Sequence, residues 1–232
     1  MHNKNMRPPG DPGSNQRPGL SESQGVKWAA SQGSAELEQC NTIITGISET
    51  HWKRSGHFDT EKYTFYFSGN ETNSFAGVAI AIPKQWNKSV LGYNPINERL
   101  ISIKLSASPT PLNIIQAYSP TSTAEDKVVE CFYNQLETCI TKIPKKELLI
   151  VLGDFNAKIG DTSMDMSLRN TVGNYGLGIR NDRGDRLLQF ATDNGMTIMN
   201  TVFKQHPRRL YTWTFPDGKH RNQIDYIIIK ER

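Results

Sequence analysis

An aspartate and an asparagine two residues apart, Asp154 and Asn156, follow the apolar run Leu148-Leu-Ile-Val-Leu and Gly153. A short apolar run bounded by charge and glycine has the pattern of a strand buried on both faces. Side chains two apart on an extended strand point to the same side. A carboxylate and a carboxamide therefore leave the strand end together. A carboxylate orients a water or holds Mg2+, and an amide N–H polarises a phosphoryl oxygen without adding negative charge. Asp and Asn are also ordinary turn residues, so the pair alone reads equally well as a strand running into a turn.

Three more apolar segments carry a polar residue at an end or within. Glu49 follows Ile43–Ser48, Tyr118 follows Leu112–Ala117, and Asp225 lies in Gln223-Ile-Asp-Tyr. Singly, each has a packing explanation. Glu49 caps a turn, Tyr118 packs before Ser119-Pro120, or Asp225 pairs with an arginine.

The elements that must position these residues are read from periodicity. Residues 1–33 are rich in Pro, Gly, Ser, Asn and Gln, which predicts a disordered leader ahead of a domain over 34–232. Ser34–Gln39 reads as the end of a helix and Thr42–Ser48 as a buried strand. Alternating patterns predict strands around Tyr63–Phe67, Val78–Ile82, Ile101–Leu105 and Leu112–Tyr118. Ser122 and Glu125 form a capping box ahead of a helix carrying Val129, Phe132, Leu136, Ile140 and Ile143, which Pro144 stops. After the Leu148 strand, Asp161–Arg180 is a polar, Gly-rich loop. A second helix spans about Arg183–Asp193, and strands follow at Met196–Asn200, Leu210–Thr214 and Gln223–Ile229, with a hairpin turn at Asp217-Gly218. The pattern implies two sheets packed face to face with helices outside.

At 232 residues and +4 formal charge, the chain is one large domain or one domain with a tail. The charge is a weak pointer to a polyanionic partner. Three cysteines, Cys40, Cys131 and Cys139, have no metal-site spacing and read as reduced thiols. No apolar run approaches the ~18 residues of a membrane span, and no signal core is seen. The expected location is intracellular, nuclear or cytoplasmic.

Taken in order, Ile47-Ser-Glu-Thr, Gln116-Ala-Tyr-Ser-Pro, Gly153-Asp-Phe-Asn-Ala, Tyr211-Thr-Trp and Ile224-Asp-Tyr resemble the motifs of the endonuclease/exonuclease/phosphatase superfamily. Gly46-Ile-Ser-Glu-Thr-His-Trp-Lys, Asn181-Asp-Arg-Gly-Asp-Arg-Leu-Leu-Gln-Phe-Ala and His206-Pro-Arg-Arg-Leu-Tyr-Thr-Trp-Thr-Phe-Pro-Asp-Gly-Lys are similar to phrases of the endonuclease domain of RTE-type non-LTR retrotransposons and their craniofacial development protein 2-like derivatives. The resemblance covers roughly Ala35 to Arg232. It implies a DNase I-like, four-layer α/β sandwich and Mg2+-dependent (or Mn2+-dependent) DNA endonuclease chemistry. It gives Glu49 as the metal ligand, Tyr118 as a contact to the scissile phosphate, Asp154 as holder of the attacking water, Asn156 as donor to the phosphoryl oxygen, and Asp225 as the group that orients a histidine. Metal, positioned water and transition-state donors are what phosphodiester hydrolysis requires.

Two departures accompany the resemblance. The family's opening strand carries an Asn beside the metal, whereas Asn3, Asn5 and Asn15 lie in no strand pattern. Its closing Ser-Asp-His is not found after Asp225, and all five histidines precede it. The chain resembles a domain truncated at both ends, with weak or no activity expected. The unpaired edge this would leave beside Gln223–Ile229 predicts self-association.

Lys204, Arg208, Arg209, Lys219 and Arg221 interleave with Phe203, Tyr211, Trp213 and Phe215, against the single acid Asp217. Cations with aromatic platforms suit a phosphate backbone and unstacked bases, so duplex DNA is the expected partner. A solvated hairpin with Tyr211 and Trp213 turned inward is the alternative. At the level of function, the rivals are a non-catalytic binding remnant of the same domain and a phosphatase of the same fold.

Overall fold

The structure is a computed structural model that describes residues 2–5, 44–215 and 220–230. Strand-forming runs rich in Val, Ile, Phe and Tyr pair into two sheets. The first contains β1 (His2–Asn5), β2 (Thr45–Ser48), β3 (Ser55–Asp59), β4 (Tyr63–Ser68) and β5 (Val78–Pro83), in the order β1-β2-β5-β4-β3. The second is built from β6 (Val90–Asn97), β7 (Leu100–Leu105), β8 (Leu112–Tyr118), β9 (Leu148–Asp154), β10 (Met196–Ile198) and β13 (Asp225–Lys230), in the order β10-β13-β9-β8-β7-β6. Between β10 and β13 in sequence, β11 (Trp213–Thr214) and β12 (Arg221–Asn222) form a separate two-stranded ribbon. Among the described residues the α-helices are α1 (Asp126–Thr141) and α2 (Asp182–Asp193).

Strand alternation explains the packing. On β5, Val78, Ile80 and Ile82 face the layer between the sheets with Ile101, Ile103, Ile114 and Leu152. Ala79 and Ala81 take the outer face, where small side chains leave room for Phe65 and the rings of Trp52, Phe58 and Phe67. The outer face of the second sheet is covered by Val129, Phe132, Leu136 and Ile140 of α1 and Leu187 and Phe190 of α2. Each such side chain contributes about 1.5–3 kcal/mol of burial energy relative to exposure.

Both predicted helices are present. The capping box is not: α1 starts after Glu125, and no side chain caps it, although Asp126 in its first turn complements the helix dipole. In α2 the Asn181 side chain accepts a hydrogen bond from the Gly184 N–H at 2.9 Å, the usual N-cap geometry. Gly184 also fits where a side chain would not, because a Cβ there would lie 1.9 Å from the Lys158 carbonyl oxygen.

Several expectations are corrected. The sequence shows no strand pattern before Thr42, yet residues 2–5 form β1, parallel to β2 with Asn5 opposite Ser48. The rest of the expected leader and the Ser34–Gln39 helix lie outside the described residues. β3 and β6 were not predicted. β6 contains Gly92 and Pro95 and shows two register shifts, features an edge strand tolerates. β13 is not an open edge, because β10 pairs with Ile228, Ile229 and Lys230. Beyond β10, the Asn200 side chain accepts from the Ile227 N–H at 2.8 Å and donates to the Asp225 carbonyl at 3.3 Å. That removes the stated reason for self-association there. Cys131 and Cys139 are free thiols. Among the described residues, no helix is long and apolar enough to cross a membrane.

Candidate active site

The parallel neighbours β8 and β9 finish at one rim, and β13 starts there because it runs antiparallel to β9. Register sets Tyr118 beside Asp154 and Asp154 beside Asp225. Three of the residues singled out in the sequence are therefore consecutive neighbours across one sheet.

Glu49 comes from the other sheet. Ile47 belongs to the outer cluster of the first sheet, and the Ser48 hydroxyl is bonded inward to Gln116. Simple alternation would send Glu49 outward. Its backbone has φ of 55°, a left-handed conformation that re-aims the side chain. The Tyr118 hydroxyl then donates to Glu49 Oε1 at 2.7 Å. Asn156, with φ of 48°, is turned in the same way. Its N–H donates to Asp154 Oδ1 and its Nδ2 to the Ser119 carbonyl, both at 2.9 Å. One Nδ2 hydrogen suffices for that bond, leaving the second for another acceptor. Non-glycine residues at such φ cost on the order of 1–3 kcal/mol each and concentrate at functional sites.

The electrostatics are those of acids crowded together in a dry place. Asp154 and Asp225 are each 2% exposed. Burial pushes the Asp225 carboxyl well above the usual carboxylate range; neighbouring Asp154 adds to the rise, the Thr212 hydroxyl opposes it, and Glu49 adds a smaller upward push. The Tyr118 phenol is also raised, by burial first and then by its bond to Glu49. Its proton stays on the ring oxygen and fixes the direction of that bond.

Three contributors were given no role from the sequence. Arg99 donates from Nη1 to the Tyr118 carbonyl at 3.3 Å, and its guanidinium lies 5.2 Å from the Tyr118 ring centre. On its other side the Phe75 ring is 5.4 Å away and 60% exposed. Only the pairing of Leu100 with Ala117 brings this turn to Tyr118, and no local motif announces that. Thr212 Oγ1 accepts from the N–H groups of Ile224 and Asp225 at 3.1 and 3.2 Å, tying the β11–β12 ribbon to the site. A threonine beside an aromatic pair was the available signal.

In the ribbon, the Arg221 guanidinium stands 4.5 Å from the Tyr211 ring, and the Trp213 and Phe215 rings meet edge to face at 4.1 Å. Tyr211 and Trp213 are half-buried rather than turned fully inward. Lys204, Arg208, Arg209 and Arg221 are exposed. Lys219, with the predicted turn Asp217-Gly218, lies outside the described residues.

Oxygen donors of this kind suit a hard cation such as Mg2+, which keeps several waters and takes one or two carboxylates. The upward push that Asp154 and Glu49 exert on Asp225 is the repulsion a cation would relieve. Among the described residues, no group of three or more His, Cys, Asp or Glu is gathered closely enough to hold a metal ion.

No family model matches the chain. It is 39% identical over 197 residues to craniofacial development protein 2 of Bos taurus, covering 85% of this chain and 33% of that protein. The counterpart in Tragulus javanicus is 38% identical over 197 residues. The chain thus spans about a third of the length of the curated relatives it matches. Among solved structures, the endonuclease domain of TRAS1, a telomere-specific non-LTR retrotransposon, superposes with a TM-score of 0.58 at 14% identity, covering 88% of this chain and 80% of that one. The Xenopus laevis APE2 catalytic domain gives 0.60 at 15%, covering 85% and 76%. The AP endonuclease LMAP from Leishmania major gives 0.61 at 10%, covering 89% and 76%.

Proposed function

This chain has the DNase I-like fold of the endonuclease/exonuclease/phosphatase superfamily, and from that premise we propose that it hydrolyses DNA phosphodiester bonds with Mg2+ or Mn2+ and descends from a retrotransposon endonuclease. The observation that carries the reading is the meeting of Glu49 and Tyr118 from opposite sheets at 2.7 Å, on the rim where Asp154 and Asp225 are register neighbours. The same reading makes the architecture a four-layer α/β sandwich. DNA as substrate implies a nuclear or cytoplasmic site of action.

When bound, the cation would supply charge neutralisation at the phosphoryl oxygens. Glu49, oriented by the Tyr118 hydroxyl, would hold it. Asp154 accepts a proton from the attacking water, and its orientation is fixed by the Asn156 N–H. The free Nδ2 hydrogen of Asn156 donates to the phosphoryl oxygen, whose negative charge grows in the transition state. Burial and neighbouring Asp154 push the Asp225 carboxyl towards its protonated form. Arg99, Lys204, Arg208, Arg209 and Arg221 meet flanking phosphates, and Phe75 and Trp213 offer rings to sugars or bases.

A second reading, DNA binding without cleavage, is favoured by the lack of a three-ligand cluster among the described residues. A fluorescent duplex incubated with Mn2+ separates the two. Cleavage that EDTA abolishes supports hydrolysis. Intact duplex that shifts on a native gel supports binding alone. Turnover of a small phosphoester with neither outcome points to a phosphatase.

A further inference from the structure

Beneath Glu49 and Tyr118 the apolar layer between the sheets contains a polar pair. Gln116 and Ser48 are both 0% exposed. Gln116 lies two residues before Tyr118 on β8, and Ser48 immediately precedes Glu49 on β2. Gln116 Nε2 donates to Ser48 Oγ at 2.9 Å and, more weakly, to the Ala117 carbonyl at 3.4 Å. Among the described residues, the buried Oε1 of Gln116 has no hydrogen-bond partner. Turning the amide over exchanges which atom meets Ser48 and still leaves one amide group unmatched. The β2 backbone is shaped around this side chain, since a Cβ on Gly46 would lie 1.7 Å from Gln116 Oε1. Ile80, Ile114 and Leu152 belong to the same layer.

An unmatched polar atom in such a layer is destabilising, and two apolar side chains of the same shape would be neutral or better. The pair needs another reason. Among the described residues the two sheets share no backbone ladder; apart from single bonds such as the Gly77 N–H to the Glu98 carbonyl at 2.8 Å, side chains hold one against the other. Apolar contact is non-directional and tolerates sliding, whereas a hydrogen bond weakens steeply when its length or angle changes. The Ser48–Gln116 bond lies one residue from Glu49 and two from Tyr118, where sliding would part those two side chains.

We infer that Ser48 and Gln116 are a positioning pair, retained at a cost in stability, that locks one sheet against the other so that Glu49 and Tyr118 meet. The inference rests on the reading of Glu49 and Tyr118 as working residues, and its test is separable from that reading.

The test compares wild type, Ser48→Ala, and the double variant Ser48→Ala with Gln116→Met, which removes both polar partners. The single variant, which deprives Nε2 of its good acceptor, melts below wild type. The double variant melts above it, yet the amides of residues 45–50 exchange with deuterium about tenfold faster, the scale expected from losing one hydrogen bond. Mn2+ affinity by calorimetry falls by a similar factor in the double variant. A double variant that melts at or below wild type, fails to fold, or leaves exchange at 45–50 unchanged overturns the inference. Should wild type and Glu49→Gln bind Mn2+ equally, the metal reading fails. Melting and exchange then still decide the role of the pair.

Discussion

The hydroxyl of Tyr118, at the end of β8, reaches across to the carboxylate of Glu49, at the end of β2, and bonds it at 2.7 Å. It joins the two sheets at the surface and aims an acid that would otherwise turn away. A hydrogen bond to a charged group contributes about 1.5–3 kcal/mol. Tyr118→Phe should weaken Mn2+ binding by about tenfold or more while leaving the melting temperature within a few degrees, because the ring still packs. Calorimetry beside thermal melting checks this. Unchanged affinity would mean that Glu49 needs no such orientation.

Asp225 makes stability depend on pH in a definite direction. Its carboxyl is raised in the folded state by burial and by Asp154, so folding favours the protonated form. The contribution is fully present below the unfolded value of about 3.9. It is lost as pH climbs through the higher folded value. Asp225→Asn, neutral throughout, should therefore be more stable than wild type at pH 7, with the gap closing towards pH 4. Urea unfolding at a series of pH values measures the gap, and a gap that widens on acidification would reverse the assignment.

Gly184 lies in the first turn of α2, where helix propensity alone would still favour alanine. A Cβ there would lie 1.9 Å from the Lys158 carbonyl, two residues beyond Asn156. Gly184→Ala should lower the melting temperature and disturb the Asp154–Asn156 turn. A melting temperature that rises would show that α2 is free to move away from that segment.

Much of this was legible because burial on two faces leaves plain marks. The runs of β5 and β9 are nearly unbroken apolar stretches, and the periodicity of α1 and α2 placed both helices within a few residues. The order of Glu49, Tyr118, Asp154 and Asp225 along the chain could be read, but not the register that makes the last three neighbours. β3 and β6 were missed because edge strands keep one side in solvent and admit His57, Gly92 and Pro95. The left-handed turns at Glu49 and Asn156 were invisible, since neither residue type demands them. Arg99 joins the site only through the β7–β8 pairing.

The exposed cations Arg208 and Arg209 sit in and beside a 3-10 turn at Pro207–Arg209, close in sequence to the aromatic ribbon. Replacing both with alanine should weaken duplex binding equally on unrelated sequences. It should also reduce the slope of log K against log salt by about two, one for each lost phosphate contact. Fluorescence anisotropy over a salt series gives that slope. An unchanged slope would put the DNA elsewhere.

The hydrolytic role of Asp154 and Glu49 is tested most directly by Mg2+-dependent nicking of supercoiled plasmid by the wild-type chain beside Asp154→Asn and Glu49→Gln, with equal folding verified by circular dichroism. Removing one member of a catalytic group commonly costs several orders of magnitude in rate. Wild type should nick slowly, EDTA should stop it, and both variants should lose at least a hundredfold in rate. Nicking by Asp154→Asn at the wild-type rate, or a wild-type chain that binds plasmid and leaves it supercoiled, would contradict the claim that these residues form a hydrolytic site.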